Sequence, residues 1–84
     1  MMKKQITKEI TRVKKLIKTF AKQHNTQIFI NRVNPLQKMI NDLFFEFMLE
    51  DAPAFNAISY KQDEFNNFVD DCWQYCQGDK RVII

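Results

Sequence analysis

The stretch that most constrains the fold is the run from Leu43 to Leu49, in which every residue except Glu46 is large and apolar. On a helix, such a run places apolar side chains on every side, because successive residues point about 100° apart. One side can face a core, whereas the other must be covered by another element or by a partner. The other elements of the chain must therefore cover this run or leave it exposed.

The composition favours long helices over short strands. The chain has 84 residues with eight Phe, but only one Gly and two Pro. Core-forming residues are abundant and turn-forming residues are scarce, and a chain of this size needs all its apolar segments for one core. The sequence therefore predicts an all-α, three-helix domain over residues 1–84, with helices near 4–24, 35–50 and 60–77.

The first predicted helix is amphipathic, with apolar residues at steps of three and four. Its opposite face carries six basic residues, here named the basic ridge: Lys4, Lys8, Arg12, Lys15, Lys18 and Lys22. Residues 1–25 contain eight basic residues against one acidic residue, a net charge of +7, whereas residues 26–84 contain five against nine, a net charge of −4. The two parts of the chain thus have opposite charge.

Several interpretations of the basic ridge remain open. It is a solvated face that keeps a core helix soluble, a phosphate-binding surface for nucleic acid, or a docking face for an acidic protein. A membrane-surface helix is disfavoured, because the apolar side of this helix lacks Trp and is needed for the core. Any nucleic-acid contact must come through this helix, since an acidic recognition helix would be repelled by phosphate.

The second and third helices are bounded by capping signals. Asn34 is a strong N-cap and Pro35 suits a first helical position, so the second helix is predicted to begin here. Ser59 opens a similar capping pattern for the third helix, which Gly78 is expected to end. The segments 28–33 and 81–84 are β-like, and a small two-stranded ribbon between them is an alternative to irregular connections.

The far side of the second helix is the predicted docking surface. Phe45 and Leu49 project from nearly the opposite side to the core face, and Met48 fills the flank. Exposed aromatic residues dominate binding hot spots, so Trp73 and Tyr75 are added as neighbouring partner-binding residues. Either a protein partner or a second copy of the chain, in a homodimer, is expected to cover this surface.

An acidic row, Asp42, Glu46 and Glu50, follows the same helix at spacings of four residues. Such carboxylates repel by a few tenths of a kcal/mol per pair, which lysines of the first helix are expected to relieve. A solvated row, or a row that imitates nucleic-acid phosphates towards a basic partner, is the alternative. A catalytic carboxylate pair is not favoured, because nothing marks one member as desolvated.

Cys72 and Cys76 are predicted to be reduced core residues. A zinc site requires four ligands, and only His24 and carboxylates remain to complete one. A reactive cysteine requires an electropositive setting, whereas the nearest charges are acidic. His24 itself is expected to be a helix-end or core residue. We therefore predict no metal, no cofactor and no catalytic residue.

These features predict a non-enzymatic protein-binding module, with nucleic-acid binding through the basic ridge as the alternative function. Small size, Lys- and Asn-rich composition and the lack of a catalytic set favour a phage- or plasmid-type inhibitor or regulator, anti-defence-like, that docks on a host macromolecule. No signal-peptide pattern or membrane-length apolar stretch is visible, so a cytoplasmic location is expected. Neither a membrane nor a small-molecule substrate is predicted as a partner.

Overall fold

The computed structural model describes residues 2–84 and contains three α-helices: α1 (Met2–Lys22), α2 (Thr26–Glu50) and α3 (Ala52–Cys76). The prediction of an all-α, three-helix fold is confirmed. α2 runs antiparallel to both neighbours, whereas α1 and α3 are parallel, as three contacts between them show: Lys61 with Thr7, Lys14 with Phe68, and His24 with Cys76.

The core is formed by apolar side chains from all three helices. Its buried members are Ile6, Val13, Ile17, Ala21, Phe29, Val33, Ile40, Phe44, Phe47, Ile58, Phe65, Val69, Cys72 and Cys76. On each helix these residues recur at spacings of three, four or seven residues, so that one stripe of each helix faces the other two. This burial is the main source of helix stability, because in proteins the packing of an amphipathic face stabilises a helix more than the propensity of its residues does.

The second helix begins nine residues earlier than predicted, at Thr26 instead of 35. Asn25, not Asn34, is the N-cap, and its side-chain oxygen accepts a hydrogen bond from the Ile28 backbone N–H at 3.1 Å. The segment 28–33 is therefore helical and not a strand. Burial of Phe29 and Val33 in the core explains why helix formation prevails over the β propensity of this segment.

Pro35 lies inside α2 and does not begin it. A proline there removes one helical hydrogen bond and typically costs about 3 kcal/mol. The carbonyl left without its donor belongs to Asn31, and both Asn31 and Pro35 are solvent-exposed. Water can therefore bind this carbonyl, while the buried residues on either side of Pro35 hold the helix together.

α2 and α3 are joined by the single residue Asp51, so the third helix begins at Ala52 and not near residue 60. The Asp51 N–H donates to the Phe47 carbonyl at 2.8 Å, and its carboxylate accepts from the Ala54 N–H at 3.2 Å. Pro53 lies in the first turn of α3, where a missing N–H is harmless. The predicted end of the second helix at residue 50 is confirmed.

The chain leaves α3 through Gly78, whose φ of 94° is readily adopted by glycine. Beyond it, the Asp79 carboxylate accepts hydrogen bonds from the Arg81 backbone N–H and guanidinium at 3.0 and 3.1 Å. These bonds form a local turn, and 82–84 has no regular secondary structure. With 28–33 helical, the proposed ribbon does not form.

Four side-chain amides connect α2 to α3: Gln37, Asn41, Gln62 and Asn66. Asn41 and Asn66 donate to each other's amide oxygens at 3.1 and 3.2 Å, and Gln62 donates to the Asn41 oxygen at 2.9 Å. We name this set the amide cluster. Because its half-buried polar groups are mutually satisfied, it favours one register of α2 against α3.

Candidate protein-docking site

The predicted docking surface is exposed to solvent on the outside of α2. Phe45 is 56% exposed and Leu49 is 69% exposed, one helical turn apart, whereas Phe44 is completely buried. All eight phenylalanines lie in the described part of the chain, and Phe45 is the one among them that is exposed. The exposure follows from helix geometry, because the core faces the Phe44 side of α2 and Phe45 points about 100° away.

Met48 is half-buried and lies on the flank between Phe45 and the core. We name Phe45, Met48 and Leu49 the docking patch. Methionine packs against irregular surfaces because its unbranched side chain adapts to them. The patch thus combines a large aromatic ring, a branched aliphatic side chain and an adaptable neighbour on one well-formed helix.

Carboxylates border the docking patch. Asp42, Glu46 and Glu50 are all exposed on the same helix. Asp42 forms a 3.0 Å ion pair with Lys38 of its own helix, and within residues 2–84 neither Glu46 nor Glu50 forms an ion pair. The expectation that lysines of α1 neutralise this row is therefore wrong, because the outer face of α2 and the basic face of α1 point in different directions.

A shallow depression lies beside the patch on the outer surface of α2. It is lined by Pro35, Lys38, Met39, Asp42, Leu43 and Glu46. Its floor is apolar and its border is charged. A side chain of a bound partner would find apolar contact in this depression and carboxylates at its edge.

The structure does not bring Trp73 and Tyr75 to the docking patch. The Trp73 ring lies 5.5 Å from the Phe29 ring, and the Tyr75 ring stacks on His24 at 5.1 Å. Phe29 and Phe45 are separated by about 24 Å along α2, at 1.5 Å per residue. Both aromatic residues are half-buried against the core at the far end of the bundle, so they act in packing and not as neighbours of Phe45.

The basic ridge lies on the outer face of α1, away from the core. Five of its members are exposed and Lys18 is half-buried. Arg12 donates to the Glu9 carboxylate at 2.7 and 3.2 Å, and this hydrogen bonding lowers the pKa of the Glu9 carboxyl. Lys14, at the edge of the ridge, instead covers the Phe68 ring, with its Nζ 4.8 Å from the ring centroid.

The two cysteines are buried and unpaired with each other, which confirms the prediction that they are core residues. Burial raises the pKa of the Cys72 thiol to about 11, and it also raises the pKa of Cys76. Both are therefore thiols at neutral pH, a state of low nucleophilicity. Among residues 2–84, no group of three or more His, Cys, Asp or Glu side chains is arranged to hold a metal ion.

The role of two glutamines in the contact between α2 and α3 was not predicted from the sequence. Gln37 and Gln62 each lie three residues after a predicted N-cap, Asn34 or Ser59, where a capping box would use them, but both belong to the amide cluster. The signal for this cluster was present, because Gln37 and Asn41 are four residues apart, as are Gln62 and Asn66. A polar pair with that spacing next to the apolar stripe of each of two helices indicates a polar contact between them.

Comparison of the chain with protein-family models, with curated proteins and with solved structures finds no match. Within residues 2–84, none of the helices combines the length and the hydropathy required to cross a membrane.

Proposed function

We propose that this chain is a non-enzymatic binding protein that docks on a partner protein through Phe45, Met48 and Leu49. The observation that supports this most directly is the 56% exposure of Phe45 beside the completely buried Phe44. Truncating a solvent-exposed phenyl ring costs the monomer little, whereas a ring inserted into a partner pocket is a typical binding hot spot.

The charge around the patch supports a partner of specific chemistry. Asp42, Glu46 and Glu50 border the apolar side chains, and α3 adds exposed carboxylates on its outer face. A complementary surface would present an apolar cleft bordered by Lys and Arg, because opposite potentials speed encounter and like potentials suppress binding. The partner is therefore proposed to be a protein with a basic binding surface.

The same charges disfavour a second copy of the chain at this site. In a twofold dimer the same patch of both subunits meets, so the acidic row of one copy would face the acidic row of the other. A stable interface of either kind buries about 800 Å² on each partner, so the three side chains of the patch would be the centre of a larger contact. The repulsion between the acidic rows therefore distinguishes the two occupants, and the size of the patch does not.

In this proposal the chain acts as an inhibitor or regulator by covering a basic surface of a host macromolecule. A basic protein surface that normally binds nucleic acid is the best electrostatic complement to the acidic row, whose carboxylates are spaced about 6 Å apart along α2. The chain would then compete with nucleic acid for that surface. This mode of action is consistent with its size and with the absence of proposed catalytic residues.

The proposal is tested by affinity capture from an extract of the native host with three immobilised proteins. These are the parent protein, the patch variant with Phe45→Ala and Leu49→Ala, and a control with Tyr60→Ala and Ile83→Ala. The control removes side chains that are 54% and 92% exposed and lie outside the patch. We expect a protein that the parent and the control retain and that the patch variant binds at least about 30-fold more weakly, as for a hot-spot loss of about 2 kcal/mol.

The mass of the purified protein in solution provides the second readout. A monomeric parent, together with a captured basic protein whose binding weakens with salt, is the expected result. A concentration-dependent dimer that only the patch variant abolishes would assign the patch to a second copy and contradict the proposal. Equal capture by all three proteins would also contradict it.

A further inference from the structure

We infer that α1 carries a second binding surface, which takes the phosphate backbone of double-stranded nucleic acid without reading its sequence. This surface is the basic ridge: Lys4, Lys8, Arg12, Lys15, Lys18 and Lys22. It extends about 27 Å from Lys4 to Lys22, which corresponds to about eight base pairs of duplex at 3.4 Å each. The docking patch lies on a different helix and takes no part in this binding.

The charge of the ridge is not neutralised within the protein. The ion pairs among residues 2–84 join Arg12 to Glu9, Lys38 to Asp42 and Arg81 to Asp79. None of them includes any of the five ridge lysines. These lysines are therefore available to external anions. Nucleic acid holds a condensed layer of cations along its phosphates, and each phosphate that a lysine neutralises releases part of that layer, which adds affinity.

The residue types on the ridge favour nucleic acid over an acidic protein or a membrane. Protein interfaces have few lysines at their core and need an apolar anchor, and the one apolar side chain along this face is Leu16, at its edge and 38% exposed. A membrane-surface helix must insert apolar residues between lipids, but the apolar side of α1 is buried in the core. A continuous line of lysines suits a continuous line of phosphates.

The same residues favour a duplex over a single strand. Single strands bind where aromatic side chains stack on their bases, and the exposed face of α1 carries no aromatic residue, while Lys14 covers the nearby Phe68 ring. Base reading is not expected, because Arg12, the one guanidinium on the ridge, is held by Glu9.

The fold directs this surface at the duplex in one orientation. The outer faces of α2 and α3 carry exposed carboxylates, such as Glu46, Asp63 and Asp70, which phosphate repels. Only the α1 side of the bundle can therefore approach. Since the ridge and the docking patch both point away from the shared core, on different helices, occupation of one leaves the other uncovered.

The test is fluorescence anisotropy with two labelled DNA duplexes of about 20 base pairs and unrelated sequence, measured over a range of salt concentrations. If the five lysines each neutralise one phosphate, the logarithm of the affinity falls with the logarithm of the salt concentration at a slope of about −4.5. This slope corresponds to an affinity loss of about 500-fold between 50 and 200 mM salt. Both duplexes should give the same affinity.

A ridge variant and a control of equal charge separate the ridge from net charge. The ridge variant carries Lys8→Gln, Lys15→Gln and Lys22→Gln, and the control carries Arg32→Gln, Lys38→Gln and Lys80→Gln; both change the net charge from +3 to 0. The ridge variant should weaken binding by at least about tenfold at low salt and reduce the slope to about −1.8. The control should keep the parent slope, as should a variant with Lys8→Arg, Lys15→Arg and Lys22→Arg.

Several outcomes would overturn the inference. Absence of binding by the parent at low salt, equal losses in the ridge variant and the control, or tighter binding to a single strand of the same sequence would each do so. So would binding to vesicles that contain phosphatidylserine but not to the duplexes. All substituted residues are exposed, and an unchanged circular-dichroism melt verifies that each variant is folded.

Discussion

The imidazole Nδ1 of His24 lies 3.2 Å from the carbonyl oxygen of Cys76, so the turn after α1 closes on the last residue of α3. The carbonyl can only accept, and Nδ1 is therefore the donor. Carbonyls in the last turn of a helix have no partner within it, and His24 supplies one. The ring of His24 also stacks on Tyr75, which joins the turn to the bundle.

His24 achieves these contacts with φ of 53°, a left-handed conformation that costs a residue with a Cβ about 1 kcal/mol. His24→Ala keeps this strain and loses the hydrogen bond and the stacking, so we expect the free energy of unfolding to fall by about 1–2 kcal/mol. His24→Gly loses the same contacts but relieves the strain. Urea unfolding should find the Gly variant more stable than the Ala variant by about 1 kcal/mol, and the reverse order would contradict the role of the backbone.

The fold class was predictable because apolar spacing dominates helix formation, whereas the helix starts were not. Asn34-Pro35 is a strong N-terminal signal, but the helix does not begin there. Burial of Phe29 and Val33 stabilises the longer helix by more free energy than Pro35 costs inside it. Burial is a property of the packed bundle, which a local capping pattern does not report. The start at Asn25 could have been found from its own capping role, but nothing local ranks it above Asn34.

The candidate site likewise has a part that was predictable from the sequence and a part that was not. The exposure of Phe45 and Leu49 was predictable, because their angular position opposite the core face depends on helix geometry alone. The position of Trp73 was not predictable from the sequence. Its ring contacts Phe29, which belongs to α2 because this helix begins at Thr26. A helix that began at 35 would have left the ring of Trp73 without this neighbour. An error in one boundary thus became an error in one site residue.

The amide cluster should stabilise the pairing of α2 with α3. Asn41→Ala removes the acceptor of Gln62 and Asn66, and Asn66→Ala removes the acceptor of Gln37 and Asn41. We expect each change to lower the free energy of unfolding by about 1–2 kcal/mol, with a coupling energy of about 1 kcal/mol in a double-mutant cycle. Asn67→Ala, at an exposed neighbouring position, is the control and should change stability by less than about 0.5 kcal/mol. Additive losses at 41 and 66 would show that the two side chains act independently.

Cys72 should make the stability of the protein depend on alkaline pH. The pKa of this thiol is raised from 9.0 to about 11 by burial, so the folded state holds its proton more tightly than the unfolded state. Its contribution is complete below about pH 9 and is lost as the pH rises from 9 towards 11, on the order of 2 kcal/mol in all. Cys72→Ala should cost about 1 kcal/mol at neutral pH through lost packing, and its unfolding free energy should fall less between pH 9 and 11 than that of the parent. Parallel pH profiles for the two proteins would contradict the assignment.

Phe44 and Phe45 provide a matched pair of substitutions that separates core from surface. Phe44→Ala removes a completely buried ring and should cost about 3–5 kcal/mol, enough to unfold a domain of this size. Phe45→Ala together with Leu49→Ala removes two side chains that are mostly in water, so the loss should be about 1 kcal/mol or less. Thermal melting and light scattering on the parent and both variants provide the measurement. A melting temperature that collapses in the double variant of a monomeric protein would place Phe45 and Leu49 in the core and remove the basis of the docking patch.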